Sequence, residues 1–462
     1  MAELRLDRIA ETTGGTILQG SPGLTFRDYN IDSRQTAPGE LFFAIAARRD
    51  GHDFVADAAA RGAAGAVVTR AVPSIPPGFA LLRVPDTLKA LHTLARNVLD
   101  NQKTNVIGIT GSIGKTTTKE FTAALLSRKF QVLKSEGNFN NHLGLALTLL
   151  RLEPRHEAAV LEMGMSAPGE IRTLAGIAPP NVAVITNVSP VHLEHLKTME
   201  AIAKAKREIL EGMKAEGTAV LNGDDPFVEK IAQTWSGRKI YFGLSRGCEI
   251  RVENLQRLGF EGFRFDLIYG SGRRRIKFPF LSDTYIYNLL AAVGAGRSLS
   301  LTLDEIERGI QDLKPYAKRG HLLRLAKKIV VIDDSYNSNP RALEAALRNY
   351  AALPARRRVA VLGDMLELGE SSAKFHEDAG FQASRFGWAL LLTVGPLSRR
   401  MAGGARLAGL GMDGIHAFAT SEEAAVQIPP LLREGDLVLV KGSRGIQTEK
   451  IVEALKEILK ES

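Results

Sequence analysis

The amino-acid sequence predicts an α/β protein built from three domains. Its 462 residues correspond to about three domains at roughly 150 residues each. Short β-branched runs alternate with helix-length segments along most of the chain, which is the pattern of parallel sheets covered by helices. Short linker segments and changes in the sequence pattern place the predicted domains at residues 1–100, 101–314 and 315–462.

The predicted strands fall into three groups, one in each domain. The runs lie at 41–45, 65–68 and 81–84, then at 106–109, 159–162, 182–185 and 219–222, and finally at 329–332, 359–362, 390–393 and 437–440. Helical segments separate the runs of the second and third groups, so each of these two domains is expected to hold an open parallel sheet, Rossmann-like in the third. Alternating side chains within 249–280 predict an antiparallel appendage to the second sheet.

The composition is that of an ordinary soluble globular protein. Hydrophobic residues make up 45% and charged residues 24% of the chain, which excludes a disordered or low-complexity protein. The single cysteine, Cys248, cannot form an intrachain disulfide and favours a reducing compartment. The first residues lack the apolar core of a signal peptide, and the longest apolar stretch, 143–150, is too short for a membrane span. We therefore expect a cytoplasmic protein.

The chain carries a basic surplus of 60 Lys and Arg over 51 Asp and Glu, a formal net charge of +9. Such a surplus fits nucleic acid, a membrane surface or a small polyanion such as a nucleotide. The densest basic cluster, Arg273 to Arg275, has no aromatic residues interleaved with it, and we interpret it as a solvated strand edge. The surplus alone does not select among these partners.

The strongest local motif is the run Thr-Gly-Ser-Ile-Gly-Lys-Thr-Thr-Thr at 110–118, between a predicted strand and a predicted helix. Glycines let backbone N–H groups surround a phosphate chain, and the helix N-terminus adds positive potential. Lys115 can reach the β- and γ-phosphates, and the Thr116 hydroxyl can ligate Mg²⁺. Although Ile109 stands where the literal P-loop pattern has its first glycine, the context predicts a nucleoside triphosphate site in a P-loop, ATPase-like central domain.

Two residues that follow predicted strands are candidate metal ligands. Glu162 ends one strand, and His192 follows another. Ligands of open parallel sheets collect at the carboxyl ends of the strands, so both side chains could face the phosphate loop. A carboxylate beside an imidazole suits a divalent cation, whereas a capping role is the alternative for each residue alone.

Lys206 lies on the apolar stripe of the predicted helix over 199–213, between Ile202 and Ile209, whereas Lys204 points the opposite way. A lysine on a buried face costs free energy unless it snorkels, pairs or loses its charge. The pattern leaves snorkelling and a functional role equally open.

Two asparagine-rich segments adjoin predicted elements. Residues 136–142 precede a helix, and residues 333–340 follow a strand. Polar loops at these places suggest contacts to sugars, phosphates or peptide groups. Helix capping is the alternative for both.

Six motifs follow one another along the chain: the phosphate loop at 110–116, Asn-Phe-Asn-Asn at 138–141, Glu-Met-Gly at 162–164, His-Leu-Glu at 192–194, Ala-Lys at 205–206 and Asp-Asp-Ser-Tyr-Asn-Ser-Asn-Pro at 333–340. In this order they resemble the Mur ligases of peptidoglycan synthesis. The runs at 32–34, 50–54 and 441–445 extend the resemblance over essentially the whole chain. The segments at 138–141 and 333–337 are similar to the branch of the family that adds D-alanyl-D-alanine.

The resemblance implies a reaction. ATP would phosphorylate the terminal carboxylate of a UDP-N-acetylmuramoyl tripeptide, and the amine of D-alanyl-D-alanine would attack the acyl phosphate and expel phosphate. Two Mg²⁺ ions would offset the negative charge that gathers at the reacting groups. The enzyme is expected to be a monomer without a nucleic-acid or membrane partner.

The resemblance also implies roles by motif position. The expected catalytic residues are Lys115, Lys206 and His192, with Lys206 carried as a carbamate. The expected metal ligands are Thr116, Glu162, His192 and Lys206. Nucleotide contacts are expected from Gly111, Ser112, Gly114, Lys115, Thr116, Thr117, Asn288, Arg319 and Asp334, and contacts to the UDP-linked substrate from Ser33, Arg34, Asn138, Asn141 and Asn337. The chain departs from the family before Asn288, because Ser282-Asp283-Thr284-Tyr285 replaces a Gly-x-His-Asn run.

Three alternatives stay open at this point. A P-loop ATPase that positions DNA would suit the basic charge, although Thr110 stands where such proteins carry a second lysine. A non-catalytic binding protein on the same fold should tolerate loss of Glu162, His192 and Lys206, all of which are present. Another Mur or folylpolyglutamate-type ligase is the third alternative, and the third residue of the tripeptide, lysine or diaminopimelate, is undetermined.

Overall fold

The computed structural model describes residues 3–73, 75–190 and 196–460. The described residues form three α/β units, each built on its own sheet. The predicted α/β class is therefore confirmed. None of the helices in these ranges combines the length and apolar character that crossing a lipid bilayer requires.

The N-terminal unit is a small, mostly parallel sheet with helices. Its elements are β1 Leu4–Arg5, α1 Leu6–Thr13, β2 Thr16–Gln19, β3 Thr25–Phe26, β4 Tyr29–Asn30, β5 Leu41–Phe43, α2 Val55–Ala60, β6 Gly65–Val68, β7 Ala80–Arg83 and α3 Thr87–Asp100. The sheet order is β2-β7-β6-β5-β4, with only β2 antiparallel to its neighbour, and β1 pairs separately with β3.

The central unit is a long mixed sheet. Its elements are β8 Asn105–Thr110, α4 Lys115–Leu126, β9 Val132–Lys134, α5 His142–Leu150, β10 Ala158–Glu162, α6 Glu170–Ile177, β11 Val182–Ile185, α7 Met199–Glu211, β12 Thr218–Asn222, α8 Pro226–Ala232, β13 Arg238–Gly243, β14 Ile250–Arg257, β15 Phe263–Tyr269, β16 Gly272–Phe278, α9 Thr284–Ser298 and α10 Leu303–Gln311. The strand order is β16-β15-β14-β13-β12-β11-β8-β10-β9. Strands β10 to β12 are buried along their whole length, which explains the apolar residues that fill their interiors.

The antiparallel strands predicted within 249–280 are present, and they extend the central sheet at one edge. Strand β14 pairs parallel with β13, and β15 and β16 then follow it antiparallel. The cluster at 273–275 lies on the edge strand β16, as interpreted. Arg273 and Arg275 pair there with the buried carboxylate of Asp266, and Arg274 pairs with Asp304. These ion pairs partly neutralise the most basic segment of the chain.

The C-terminal unit is a second open sheet. Its elements are β17 His321–Leu325, β18 Ile329–Asp333, α11 Pro340–Ala351, β19 Arg357–Gly363, α12 Ser372–Arg385, β20 Leu390–Val394, α13 Met401–Leu407, β21 Ile415–Phe418, α14 Ser421–Gln427, β22 Asp436–Lys441 and α15 Glu449–Ile458. The order is β17-β18-β22-β19-β20-β21, and only β17 is antiparallel to its neighbour. The sheet directs the carboxyl end of β18 towards the central unit, where the two units share a cavity.

Candidate active site

A cavity of about 930 Å³ lies between the central and C-terminal units. Its walls come from the carboxyl ends of central strands and from the loop between β18 and α11, the position at which open parallel sheets bind ligands. The predicted residues that line it are Ser112, Gly114, Lys115, Thr116, Thr117, Asn138, Glu162, Asn288, Arg319, Asp334 and Asn337. The fold therefore brings most of the predicted nucleotide-binding and substrate-binding residues together.

The phosphate loop has the backbone that its sequence predicts. Gly111 and Gly114 have φ values of 149° and 85°, which favour glycine. A side chain at either position would also collide, at Gly111 with the Thr186 hydroxyl and at Gly114 with the Asn288 carboxamide. Helix α4 then begins at Lys115, so its free N–H groups face the cavity.

The segment after β11 holds the phosphate loop in place. The Ser112 N–H donates to the Asn187 carbonyl at 3.0 Å, and the Ile113 N–H donates to Asn187 Oδ1 at 3.1 Å. Ser112 and Ser189 are joined twice, because the Ser112 hydroxyl donates to the Ser189 carbonyl and accepts from the Ser189 N–H. These contacts organise the loop without any ligand.

The Lys115 ammonium lies over its own loop. Its Nζ donates to the Gly111 carbonyl at 2.8 Å and to the Ser112 carbonyl at 3.4 Å. Withdrawal from water lowers the pKa of Lys115, and the Glu162 charge opposes that shift. The cation is thus held where phosphate oxygens could replace the two carbonyls.

Glu162 is a buried side chain at the carboxyl end of β10. The side chain is 2% exposed at the end of β10, and Oε1 accepts from Asn140 Nδ2 at 3.0 Å. No residue in the described ranges donates to the buried Oε2. A buried anionic oxygen without a donor fits a cation ligand. Among the described residues, no group of three or more histidine, cysteine or acidic side chains converges to hold a metal, and His192 lies outside them.

Lys206 is buried in α7, with 2% of its surface exposed, so the snorkelling alternative is wrong. Loss of hydration holds the pKa of Lys206 well below its ordinary value, and the nearby Lys115 charge acts in the same direction. Lys204, on the same helix, is exposed. The helical stripe in the sequence therefore identified the buried lysine correctly.

Three predicted substrate-binding residues are not among those that line the cavity. Asn141 caps α5 by accepting from the Gly144 N–H at 2.9 Å, so the capping alternative describes its contact. Ser33 and Arg34 lie in the N-terminal unit, where Arg34 pairs with Asp32 at 2.8 Å and is largely exposed. Ser33 is buried, and its proximity lowers the pKa of Asp57 in α2.

The C-terminal wall of the cavity is organised by a buried lysine. Lys441 Nζ donates to Asp334 Oδ2 at 2.7 Å and to the Asn337 carbonyl at 2.9 Å. The Arg319 guanidinium lies 3.8 Å from the ring centre of Tyr336, which fixes it by a cation–π contact. The predicted residues Asp334, Asn337 and Arg319 are thereby held on one wall.

A hydrogen-bond cluster joins the central and C-terminal units beside the cavity. Asn349, buried in α11, accepts from Arg257 Nη2 at 2.8 Å and from the Asp283 N–H at 3.2 Å, and it donates to Asp283 Oδ1 at 2.9 Å. We call these three residues the Asn349 latch. Nearby, Tyr285 stands in the segment that departs from the family pattern, and its hydroxyl donates to the Arg319 carbonyl at 2.6 Å.

Several residues of the site were missed by the sequence reasoning. Asn140 lies in the Asn-Phe-Asn-Asn motif without a predicted role, yet it contacts Glu162 directly. Lys441 likewise lies in a motif without a predicted role, and its partner is 107 positions away, beyond the reach of any local pattern. Arg341 crosses the cavity from α11 to the Ser189 hydroxyl at 2.8 Å, and no sequence signal marks it.

Comparison with known proteins agrees with this geometry. Two family profiles match, the Mur ligase middle domain over residues 109–296 and the Mur ligase glutamate ligase domain over residues 318–444. The two profiles together match more than half of the chain, which is therefore an α/β protein of the Mur ligase family.

Individual relatives show to which members of the family this chain is similar. UDP-N-acetylmuramoyl-tripeptide–D-alanyl-D-alanine ligases from Bacillus subtilis and Escherichia coli are 34% and 33% identical, each with 99% of both chains covered. A crystal structure of MurF from Acinetobacter baumannii superposes with a TM-score of 0.90 at 29% identity and 99% coverage of both chains. MurF from Thermotoga maritima in complex with ADP superposes with a TM-score of 0.82 at 30% identity, covering 93% of this chain and 97% of that one.

Proposed function

We propose that this chain is an ATP-dependent ligase that joins D-alanyl-D-alanine to a UDP-N-acetylmuramoyl tripeptide. One observation carries the proposal: a phosphate loop, a buried carboxylate with a free oxygen and the Asp334–Asn337 wall meet in one cavity between two units. Full-length similarity to ligases of this name supports the choice of substrates. Because both substrates and ATP are intracellular metabolites, we assign the enzyme to the cytoplasm.

The chemistry divides into two steps. The terminal carboxylate of the tripeptide attacks the γ-phosphorus of ATP, and ADP leaves. The amine of D-alanyl-D-alanine then attacks the acyl phosphate carbon, and the amide forms as phosphate and a proton depart. Lys115 and the N–H groups that begin α4 would stabilise the charge on the transferring phosphoryl group.

The residues present fit a divalent cation. The free Oε2 of Glu162 and the Thr116 hydroxyl both face the cavity, and carboxylate and hydroxyl oxygens are ligands that Mg²⁺ accepts. Bound Mg²⁺ would neutralise phosphate charge as the carboxylate approaches. Asn140 holds the other oxygen of Glu162, which directs Oε2 into the cavity.

We further propose that Lys206 reacts with CO₂ to form a carbamate. The burial that lowers the Lys206 pKa supplies the neutral amine that this reaction requires, and the amine loses one proton as the N–C bond forms. The product is an anion, which a cation can pair. Two further proposed ligands accompany it, Glu162 and His192, of which the second lies outside the described residues.

A labelling experiment tests the carbamate. Protein in bicarbonate enriched in carbon-13 should show a carbamate carbon signal in the wild type and in Lys204→Ala, and none in Lys206→Ala. Lys206→Ala should lose most activity, and formate or acetate should restore part of it by occupying the vacant oxygen position. Normal turnover of Lys206→Ala without bicarbonate would contradict the carbamate.

We also propose domain boundaries at 1–100, 101–314 and 315–462. Two facts support these boundaries. Each of the three main sheets lies inside a single proposed domain, and each of the two matched profiles also lies inside a single proposed domain. The function itself is tested by ADP release from ATP and Mg²⁺ with a panel of UDP-muramoyl peptides and acceptors. Release with a single L-amino acid or with glutamate, in place of D-alanyl-D-alanine, would identify another member of the family.

A further inference from the structure

Lys119 is a fully buried lysine to which neither the motifs nor the proposed chemistry assign a role. It lies one turn after Lys115 on α4, and none of its surface is exposed. Its Nζ donates to the Ser135 carbonyl at 2.7 Å and to the Gly137 carbonyl at 3.2 Å, and Glu120 is its ion-pair partner at 3.1 Å. A buried ammonium is costly, so its position requires an explanation.

The two carbonyls that Lys119 contacts belong to the segment between β9 and α5, residues 135–141, which we call the asparagine loop. This loop continues to Glu162 by two routes. The Glu162 N–H donates to the Ser135 hydroxyl at 3.3 Å, and Asn140 Nδ2 donates to Glu162 Oε1 at 3.0 Å. The Asn140 carbonyl also accepts from the Gly164 N–H at 2.9 Å. The ammonium therefore anchors the start of a loop whose later residues orient the free carboxylate.

We propose that Lys119 is a positioning residue for the ligase reaction. By fixing the asparagine loop to the helix that begins at the phosphate loop, it sets the distance between the ATP phosphates and the Glu162 carboxylate. Both carbonyl acceptors lie on the loop rather than on α4, so its hydrogen bonds serve the position of the loop and not the helix. This inference rests on the proposed function, because it concerns the geometry of that site.

A purely structural role predicts a different outcome. If Lys119 only stabilised the fold, its loss would lower the thermal midpoint and leave the kinetic constants of the folded enzyme unchanged. A positioning role instead predicts a change in the response to Mg²⁺ and to the UDP-linked peptide. Loss of the ammonium leaves the Ser135 and Gly137 carbonyls without this donor, so either role allows a lower thermal midpoint, and the kinetic constants of the folded enzyme separate the two roles.

The test is Lys119→Met in the full chain, since methionine fills similar space without the charge. We expect kcat/KM for the UDP-muramoyl tripeptide to fall about tenfold or more, as the loss of charge-assisted hydrogen bonds predicts. The Mg²⁺ concentration for half-maximal rate should rise, whereas calorimetric affinity for ADP alone should stay within about twofold. Hydrogen exchange should accelerate in residues 135–141 and not in α4.

Two further variants make the test decisive. Lys129→Met is the matched control, because Lys129 Nζ also donates to a backbone carbonyl, that of Ser300 at 3.0 Å, but on the exposed surface. If Lys119→Met fails to fold, Asn140→Ala should show the same rise in Mg²⁺ requirement.

Unchanged kinetics and exchange in Lys119→Met, a fall in thermal midpoint alone, or an unchanged Mg²⁺ requirement in Asn140→Ala would each overturn the inference. Absence of ADP release by the wild type would instead refute the proposed function, and the exchange measurement would still decide whether Lys119 fixes the loop.

Discussion

Substitution of Glu162 by glutamine separates the stability of this protein from its activity. Glutamine keeps the shape of the side chain and can still accept the hydrogen bond from Asn140. It removes a buried negative charge whose second oxygen has no donor among the described residues. We therefore expect Glu162→Gln to raise stability in metal-free buffer and to abolish most activity.

The size of the stability change follows from the contacts. A buried polar group without a partner costs about 1–3 kcal/mol, and a charged group costs more than the neutral amide that replaces it in Glu162→Gln. The nearby Lys115 ammonium already offsets part of that cost, because the two charges attract each other. The net gain in the free energy of unfolding should be about 1 kcal/mol, which is a rise in thermal midpoint of about 2–4 °C for a domain of this size. The loss of an anionic metal ligand should slow ADP release on the order of 100-fold.

The assay compares thermal unfolding and ADP release for the wild type, Glu162→Gln and Glu261→Gln. Glu261 is an exposed carboxylate paired with Lys277, so its substitution should change stability by less than about 0.5 kcal/mol and leave activity intact. Mg²⁺ should raise the midpoint of the wild type and have little effect on Glu162→Gln. A destabilised Glu162→Gln variant that keeps wild-type activity would refute this reasoning.

Three further predictions concern other parts of the molecule. Lys115→Ala should abolish ADP formation without lowering the thermal midpoint, because the ammonium serves phosphoryl transfer, and near-normal turnover would make the loop structural. Asn349→Ala should lower the free energy of unfolding in denaturant by about 1–2 kcal/mol, since it removes three hydrogen bonds to Arg257 and Asp283, which keep other partners, and a loss below about 0.5 kcal/mol would contradict this. Burial is the main cause that lowers the pKa of His92 from 6.5 to about 4, and the nearby His142 adds to the shift. The contribution of His92 to the free energy of unfolding is therefore present above pH 6.5 and is lost as the pH falls towards 4. The effect should be on the order of 1 kcal/mol after allowance for solvent screening, and His92→Gln should flatten it, whereas His416→Gln should not.

The sequence analysis predicted the strands whose residues are completely buried and missed strands whose residues are only partly buried. Strands such as β11 and β22 are buried at every residue and have apolar runs of four residues, which the sequence analysis located within one residue of each end. The edge strand β9 has only three residues, none of them fully buried, and β21 is similarly half-exposed. Neither was predicted, because alternation over three or four residues does not distinguish a strand from a loop.

The candidate site shows the same division between local and distant information. The phosphate loop is a local motif, and the stripe that buries Lys206 is a local periodicity, so both were visible in the sequence. The contact of Arg341 with Ser189 joins residues 152 positions apart, and its existence depends on how the C-terminal unit lies against the central one. Such contacts follow from tertiary packing, which no window along the chain contains.

The central claim is that this chain couples ATP hydrolysis to amide formation between a UDP-N-acetylmuramoyl tripeptide and D-alanyl-D-alanine. The most direct measurement is ADP release, with mass analysis of the peptide product, in reactions that contain ATP and Mg²⁺ and omit each substrate in turn. The account predicts ADP and the pentapeptide in equal amounts only when both substrates are present. ADP release without the pentapeptide product, or equal release when a single L-amino acid or glutamate replaces D-alanyl-D-alanine, would contradict it.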